Sequence, residues 1–394
     1  MLVQLRRMGH QIYVLEENRK LPTARRFTAD FEQPGDGIAT FWYNPRRGLE
    51  RLLTWPWDRY YRKAFDGRNL GHRTWVVTAA AQHFKPDIII TSDGFSYAVP
   101  AAHARRLGWL RVPLVVGFIG GDILDCPEAE VGRRRTPAVT RLIRSTLATA
   151  DALRPVSPKV DHALAAEGVN PKNLRMIPSH LVLDTAITDG VFTQRKQWGQ
   201  DIRVRHGIPA DAPLVVTLSG NQKGKGLHIL ARAWPRILER HPTAYWLLCG
   251  PNEPWLEQAV WPELRRMGAA DSVIAAGALA GTAVFEYLTA ADLHINPSLC
   301  ESLNMVTVEA AAVGTPTITG DGAGISDWVA RLGAGAVVPS GEAAPLADAI
   351  IAALADPTKC AAWSAAGRAL SADFTLECIA KQLIELFEST LMEH

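Results

Sequence analysis

Asn296-Pro-Ser-Leu-Cys-Glu301-Ser-Leu-Asn-Met-Val-Thr-Val-Glu309-Ala-Ala-Ala-Val-Gly-Thr-Pro-Thr-Ile-Thr-Gly-Asp-Gly-Ala-Gly324 reads as loop, helix, turn, strand and glycine-rich loop. Pro297 and Ser298 close a strand, residues 303–313 suit a helix, and Gly314 supplies its stop. The β-branched residues 315–319 then re-enter a sheet. Two carboxylates punctuate the unit, Glu301 before the helix and Glu309 two turns inside it. Eight residues at helical rise set them about 12 Å apart, a span that suits one extended ligand better than one reacting atom. Between them the helix start offers free N–H groups and partial positive charge, which favour an anion such as phosphate. Acids at a helix start also complement its dipole, so either glutamate alone reads equally as a solvated cap. The pair, the alanine run and the glycine loop together fit a ligand with a phosphate in the middle and hydroxyls at both ends. Sugar nucleotides have that shape.

The run from Glu301 to Pro316 resembles the Glu-x7-Glu motif of the retaining family-4 glycosyltransferases. The resemblance implies a GT-B fold: two Rossmann-like α/β domains with parallel sheets facing across a cleft. It assigns Glu301 to hydroxyls of the donor sugar and Glu309 to the ribose. Leu303, Asn304 and Met305 would hold sugar and diphosphate, in part through backbone amides. Asn304 departs from the family pattern, where glycine is usual, and reshapes the expected sugar pocket.

The chain of 394 residues is too long for one ordinary core, and its 47% hydrophobic and 21% charged composition is that of a globular protein. No apolar run approaches the ~20 residues of a membrane helix, and no signal-peptide pattern opens the chain. Cys126, Cys249, Cys300, Cys360 and Cys378 show neither metal spacing nor a disulfide framework, which predicts a reducing, cytoplasmic setting without metal. The net charge of +2 hides a basic first 150 residues and an acidic remainder. The basic part fits an anionic membrane surface, a phosphorylated acceptor or plain solvation. Residues 41–63 crowd aromatics among Arg and Lys, consistent with a peripheral membrane contact near a lipid-linked acceptor or with a lid over an acceptor cleft. No pattern points to nucleic acid.

From the N-terminus, residues 2–8 have helical spacing, Gly9 stops them, and residues 11–16 read as a strand. This resembles the first helix and second strand of a GT-B N-terminal domain, so the family's first strand and glycine loop are expected upstream and are missing here. Helices over 73–84 and 97–107 alternate with strands over 87–91 and 113–118, as a parallel sheet requires. Ligands gather at the C-terminal ends of such strands, which singles out Asp93, Gly120, Gly121 and Asp122 as acceptor-side candidates. Asp122 reads either as a group orienting an acceptor hydroxyl or as a cap for the next helix. Ile119 stands where many relatives have His. Arg133 to Arg135 form a basic turn. Strands over 151–155 and 174–178 complete a first domain, 1–183, and residues 184–212 read as a linker.

The second domain, 213–374, opens with a strand over 214–219, a loop holding Gly220, Lys223 and Lys225, and a helix from Leu227. Strand, Gly/Lys loop and helix start form a phosphate cradle, and no Ser or Thr follows the lysine as a Walker loop demands. Lys225-Gly226 resembles the family's Lys-Gly pair, whose lysine neutralises the diphosphate; the usual upstream Arg has no counterpart. Gly250 and Ala278 follow the strands over 245–250 and 273–277 and would line the base pocket. Residues 375–394 resemble the terminal helix that returns to the first domain.

The resemblance thus implies an enzyme moving sugar from a UDP- or GDP-type donor to a hydroxyl acceptor with retention. The nucleotide sugar serves as co-substrate and no cofactor is needed. Lys225 would stabilise the leaving diphosphate and Glu301 would orient the sugar. A catalytically impaired nucleotide-sugar-binding protein and a GT-B sugar-nucleotide epimerase are the competing readings.

Overall fold

The computed structural model describes residues 1–17, 38–43, 56, 59, 70–132, 136–182 and 185–394. They form two compact units: Met1–Asp125, Gly132–Pro178 and Leu376–His394 make the first, and Cys126–Val131 with Ser179–Thr375 the second. The stretch 41–63 lies for the most part, and Arg133 to Arg135 wholly, outside the described residues.

In the first unit β1 (Tyr13–Glu17) pairs in parallel with β2 (Ala39–Tyr43). A second parallel sheet joins β3 (Ile89–Thr91), β4 (Leu114–Phe118) and β5 (Ala152–Pro155), with β4 in the middle. Every residue of β4 is buried, because a strand covered on both faces reads as an unbroken apolar run. Around the sheets lie α1 (Leu2–Arg7), α2 (Leu70–Phe84), α3 (Ala98–Arg106), α4 (Pro137–Leu147) and α5 (Pro158–Ala165). Thr136 and Ser157 start α4 and α5 with side-chain caps and a proline in the first turn. Residues 174–178, expected as a strand, run beside β5 without forming a regular strand: Leu174 bridges to Leu153, and Arg175 and Ile177 N–H donate to the Leu153 and Pro155 carbonyls.

The second unit begins with α6 (Thr185–Arg205), 21 residues long, where the sequence reads as a linker. Its glycines and weak apolar periodicity hide a packed helix. At Gly199 it runs close to Ala290, whose backbone a Cβ would meet in ordinary contact at 3.7 Å. Arg195 donates to the carbonyls of Val313 and Gly314, at 2.8 and 3.4 Å.

Six parallel strands follow in the order β11-β10-β9-β6-β7-β8. They are β6 (Leu214–Leu218), β7 (Tyr245–Cys249), β8 (Val273–Gly277), β9 (Leu293–Asn296), β10 (Thr317–Gly320) and β11 (Gly335–Val338). Helices cover both faces: the crossovers α7 (Leu227–Arg240), α8 (Trp261–Arg266), α9 (Ala283–Ala290), α10 (Met305–Ala312) and α11 (Ser326–Leu332), then α12 (Ala343–Leu354) and α13 (Pro357–Ala372) after the last strand. One core packs Leu227, Leu230 and Trp234 of α7 with Trp246 of β7; the other packs Leu214 and Val216 against Leu288 of α9. The Trp234 and Trp246 rings lie 5.8 Å apart, and their indole N–H groups donate to Ser272 and Thr217. The terminal helix α14 (Leu376–Glu393) belongs to the first unit, where Ile379, Leu383 and Leu386 join Val115 and Ile177. No helix among the described residues is long and apolar enough to cross a membrane.

His294 in β9 is a pH-sensitive core residue. Burial holds its imidazole down to about 3, with Nδ1 2.8 Å from Thr317 Oγ1. Its pKa in the unfolded chain is near 6.5, so the folded state favours the neutral ring. That contribution is complete above pH 6.5 and is lost as pH falls from 6.5 towards 3, by up to roughly 1.4 kcal/mol per pH unit. Urea unfolding between pH 7 and 4 is expected to show a shallower pH slope for His294→Gln than for the wild type. Identical slopes would contradict the assignment.

Candidate functional site

In the six-stranded sheet the chain reverses its direction of winding between the adjacent strands β6 and β9. Ligands of open parallel sheets bind at such switch points. The loop after β6 carries Gly220 and Asn221, then a 3-10 turn at Lys223–Lys225. Asn221 is fully buried at φ 53°, and its amide donates to the Pro251 carbonyl at 2.7 Å. The loop after β9 carries Pro297 to Glu301. The two are laced together: Leu299 N–H donates to Gly224 O at 2.9 Å, and a Cβ on Gly226 would stand 1.9 Å from Pro297 O. With φ at +69°, position 226 accepts only glycine.

This lacing brings Lys225 to Glu301. The ammonium donates to Glu301 Oε1 at 2.5 Å, with both side chains largely withdrawn from solvent. Glu301 Oε2 accepts from Ser298 Oγ at 2.9 Å and from Asn304 Nδ2 at 2.8 Å. The backbone of Glu301 bridges to Ala323 in the glycine-rich loop: Glu301 N–H donates to Gly322 O and Gly324 N–H to Glu301 O.

The helix expected over 303–313 starts later, because Asn304 caps it from a left-handed conformation, φ 80°. Its Oδ1 accepts from Thr307 N–H and Thr307 Oγ1, both at 2.8 Å. Leu303 is buried, and its carbonyl accepts from Ile325 N–H. Met305 and Val306 follow in the first turn of α10, where N–H groups have no partner within a helix. Glu309 lies in the second turn. Burial pushes its carboxyl above the usual range, and it forms no ion pair with a described residue. Such a carboxylate needs hydroxyl or N–H donors from elsewhere.

Gly250 ends β7 at φ 148°, where a Cβ would strike Ser219 O, and its N–H donates to Gly277 O. A cavity of about 300 Å³ lies beside it, lined by Gly250, Asn252, Glu257, Trp261, Ala275 and Gly277. Ala278, next in the chain, is exposed. Lys223 points elsewhere than Lys225 and stands 3.5 Å from Glu130.

The acceptor-side candidates are all in the first unit and are occupied by their own backbone. Asp93 Oδ1 accepts from Phe95 and Ser96 N–H. Asp122 is buried; its Oδ2 accepts from Gly94 and Ile119 N–H and its Oδ1 from Gly120 N–H. It therefore fastens the loops after β3 and β4 rather than capping a following helix. Burial raises its pKa, against the opposing effect of these N–H donors. Gly120 adopts φ 124°, and a Cβ on Gly121 would meet nothing within 4 Å.

Two features escaped the sequence. Asn296, Ser298, Thr307 and Thr319 form the polar bed beneath Glu301, but short polar residues after a strand carry no distinguishing pattern. The reading that the cysteines lack a disulfide is corrected by the Cys126–Cys300 bond. Its partners are 174 positions apart, a pairing only the folded chain reveals. The bond holds Cys126–Val131, a segment of the second unit, beside the Lys223–Lys225 turn, so that a Cβ on Gly224 would stand 2.9 Å from Ala129 O.

Comparison with known proteins gives these features a context. Residues 1–180 match the glycosyl transferase 4-like domain model, and residues 212–356 match the model of the glycosyl transferases group 1. The chain is 25% identical over 294 residues to D-inositol 3-phosphate glycosyltransferase of Corynebacterium urealyticum, a match that covers 72% of this chain and 66% of that one. In fold it is similar to sucrose-phosphate synthase from Thermosynechococcus elongatus, with TM-score 0.76, 20% identity, and coverage of 100% and 92% of the two chains. Anabaena HepE, solved in complex with UDP, gives TM-score 0.70 at 20% identity over 96% of this chain and 100% of that one. The two family models together take in most of the sequence, and the chain belongs to the group 1 glycosyltransferases, with the GT-B fold of two parallel-sheet α/β domains.

Proposed function

We propose that this protein transfers a sugar from a nucleoside-diphosphate sugar to a hydroxyl acceptor with retention of anomeric configuration. One observation carries the reading: Lys225, from the loop after β6, meets Glu301 just ahead of the first turn of α10, with Glu309 half-buried one turn further on. A diphosphate at Lys225 and the first N–H groups of α10 would have its sugar beside Glu301 and its ribose within reach of Glu309. Support for the donor class comes from HepE, which was solved with UDP and with UDP-glucose.

The chemistry demands charge stabilisation. As the glycosidic bond breaks, the diphosphate gains negative charge and the anomeric carbon becomes cationic. Lys225 and the amides at Met305 and Val306 answer the first, as donors aimed in advance at developing charge. Glu301 holds a sugar hydroxyl and so fixes the ring. The resemblance to the retaining family supports attack by the acceptor on the face the diphosphate leaves. Residues near Gly120 and Gly121 are the acceptor-side candidates through their backbone, since Asp93 and Asp122 are already engaged.

Glu309→Ala removes the carboxylate that awaits the ribose hydroxyls. Calorimetry with UDP and GDP is expected to show affinity for the preferred nucleotide weakened by about 10- to 100-fold, the worth of hydrogen bonds to a charged group. An unchanged Kd counts against the ribose assignment. A wild-type protein that binds neither nucleotide removes the donor class altogether.

A further inference from the structure

The hydrogen bonds around Glu301 limit what its carboxylate can offer a ligand. Each carboxylate oxygen has two acceptor directions. Oε2 has both filled, by Ser298 Oγ and Asn304 Nδ2. Among the described residues, Oε1 accepts only from Lys225. When a diphosphate draws Lys225 away, Oε1 is released and Oε2 is not.

Both donors at Oε2 are fixed from behind. Thr307 N–H is a donor whose sense cannot change, and it meets Asn304 Oδ1 at 2.8 Å, so the Asn304 NH2 must face Glu301. The backbone of Asn304 is held at φ 80°, and the residue is 6% exposed. Ser298 is 1% exposed and lies 2.7 Å from the Asn296 amide, which in turn lies 2.9 Å from Thr319 Oγ1. The Asn296 side chain stands with Oδ1 towards Ser298 and Nδ2 towards Thr319, which gives the one Ser298 proton two acceptors, Asn296 Oδ1 and Glu301 Oε2; turning the amide over, so that Nδ2 donates to Ser298 Oγ and Oδ1 accepts from Thr319 Oγ1, satisfies every group and commits that proton to Glu301. A line then runs from Thr319 through Asn296 and Ser298 to Glu301. Ser340 Oγ donates to the Ser298 carbonyl at 3.0 Å and holds its backbone in place.

We infer that Ser298 and Asn304 are positioning residues that set sugar specificity: by saturating Glu301 Oε2 they leave one oxygen, Oε1, to recognise a single donor hydroxyl instead of a neighbouring pair. The inference rests on the donor-site reading above and adds to it how many hydroxyls Glu301 reads. A carboxylate with both oxygens open grips two adjacent hydroxyls and is indifferent to which one is weakened. One with a single open oxygen depends on one hydroxyl and tolerates loss of its neighbour.

The test uses the full chain with UDP-glucose, GDP-mannose and the 3-deoxy and 4-deoxy analogues of each, comparing Kd and kcat/KM with the parent donor. In the wild type, one deoxy analogue is expected to lose about 10- to 100-fold and the other to stay within about threefold. Asn304→Gly suits the positive φ and opens Oε2, as does Ser298→Ala from the other side. Each variant is expected to spread the loss over both analogues. A merely structural role would move all donors together, whereas this one moves their ratio. Binding of UDP and GDP alone, read by calorimetry, reports whether each variant keeps a folded site. Wild-type losses on both analogues or on neither overturn the inference, as do ratios within about twofold of wild type in whichever variant keeps nucleotide affinity. Failure of the wild type to bind either parent donor is a different result and removes the donor-site reading itself.

Discussion

Lys225→Ala is expected to lower kcat by about 10²- to 10³-fold, the cost of removing one donor from a preorganised site for developing negative charge. Lys225 is the cation that touches Glu301 from the loop after β6, and the other lysine of that loop is turned to Glu130. A charge that acts mainly on the departing diphosphate lowers kcat more than it raises KM. Steady-state kinetics with the donor that binds best, UDP-glucose or GDP-mannose, measure both. Small and equal changes in the two constants would contradict the role. Lys225→Arg keeps the charge but replaces a compact ammonium with a planar fork, and is expected to restore only part of the rate. A guanidinium at 225 would also have to fit beside Glu301, whose side chain is 16% exposed.

Reduction of the Cys126–Cys300 bond is expected to have the largest effect on stability. The chain-entropy estimate for a closure of 174 residues is about 5 kcal/mol, an upper value for what the cross-link contributes. For a unit of this size each kcal/mol moves Tm by about 2–4 °C. Thermal unfolding with and without dithiothreitol, beside Cys126→Ser and Cys300→Ser, measures the effect. Both variants are expected to melt with the reduced wild type, well below the oxidised protein. Thiol titration in denaturant provides the count: Cys249, Cys360 and Cys378 lie outside the disulfide, so the oxidised chain yields three thiols and the reduced chain five. Five thiols without reductant, or identical melting in all forms, would remove the bond from the account. The Lys223–Glu130 pair that also ties the Cys126–Val131 segment is largely exposed at Glu130 and contributes little.

How far the sequence could be read depended on the range of the interactions involved. Strands such as β4 and β6 are short, largely apolar runs between turn residues, and their nature is local. The same holds for α10, although its start moved because the Asn304 cap depends on Thr307 three residues on and on a left-handed backbone. The α6 helix was illegible: its residues 195, 199 and 202 find partners around 290 and 313, far along the chain. Elements β11, α12 and α13 likewise declare themselves through packing, Leu346 and Ile350 of α12 against the core of β6, β7 and β9. At the site, the two glutamates were visible because their spacing in one chain segment is itself the signal, and Lys225 because a Gly/Lys loop between a strand and a helix is one too. The polar bed beneath Glu301 was not, since Thr319 meets Asn296 only when β10 lies beside β9. Asp93 and Asp122 stand on the loops that strand ends pick out, yet their oxygens are spent on backbone N–H groups, which no local pattern announces.

The contact between Gly226 and Pro297 O has a consequence for anyone who rebuilds this protein. With no space for even a methyl group there, and with Leu299 N–H fastened to Gly224 O, the lysine-bearing turn and the glutamate-bearing turn behave as one mechanical part. A graft that carries residues 220–226 into another scaffold without residues 296–301 would bring the cation and lose the surface that aims it. The smallest transplantable cassette is discontinuous in sequence, and swaps between relatives will succeed only when both pieces travel together.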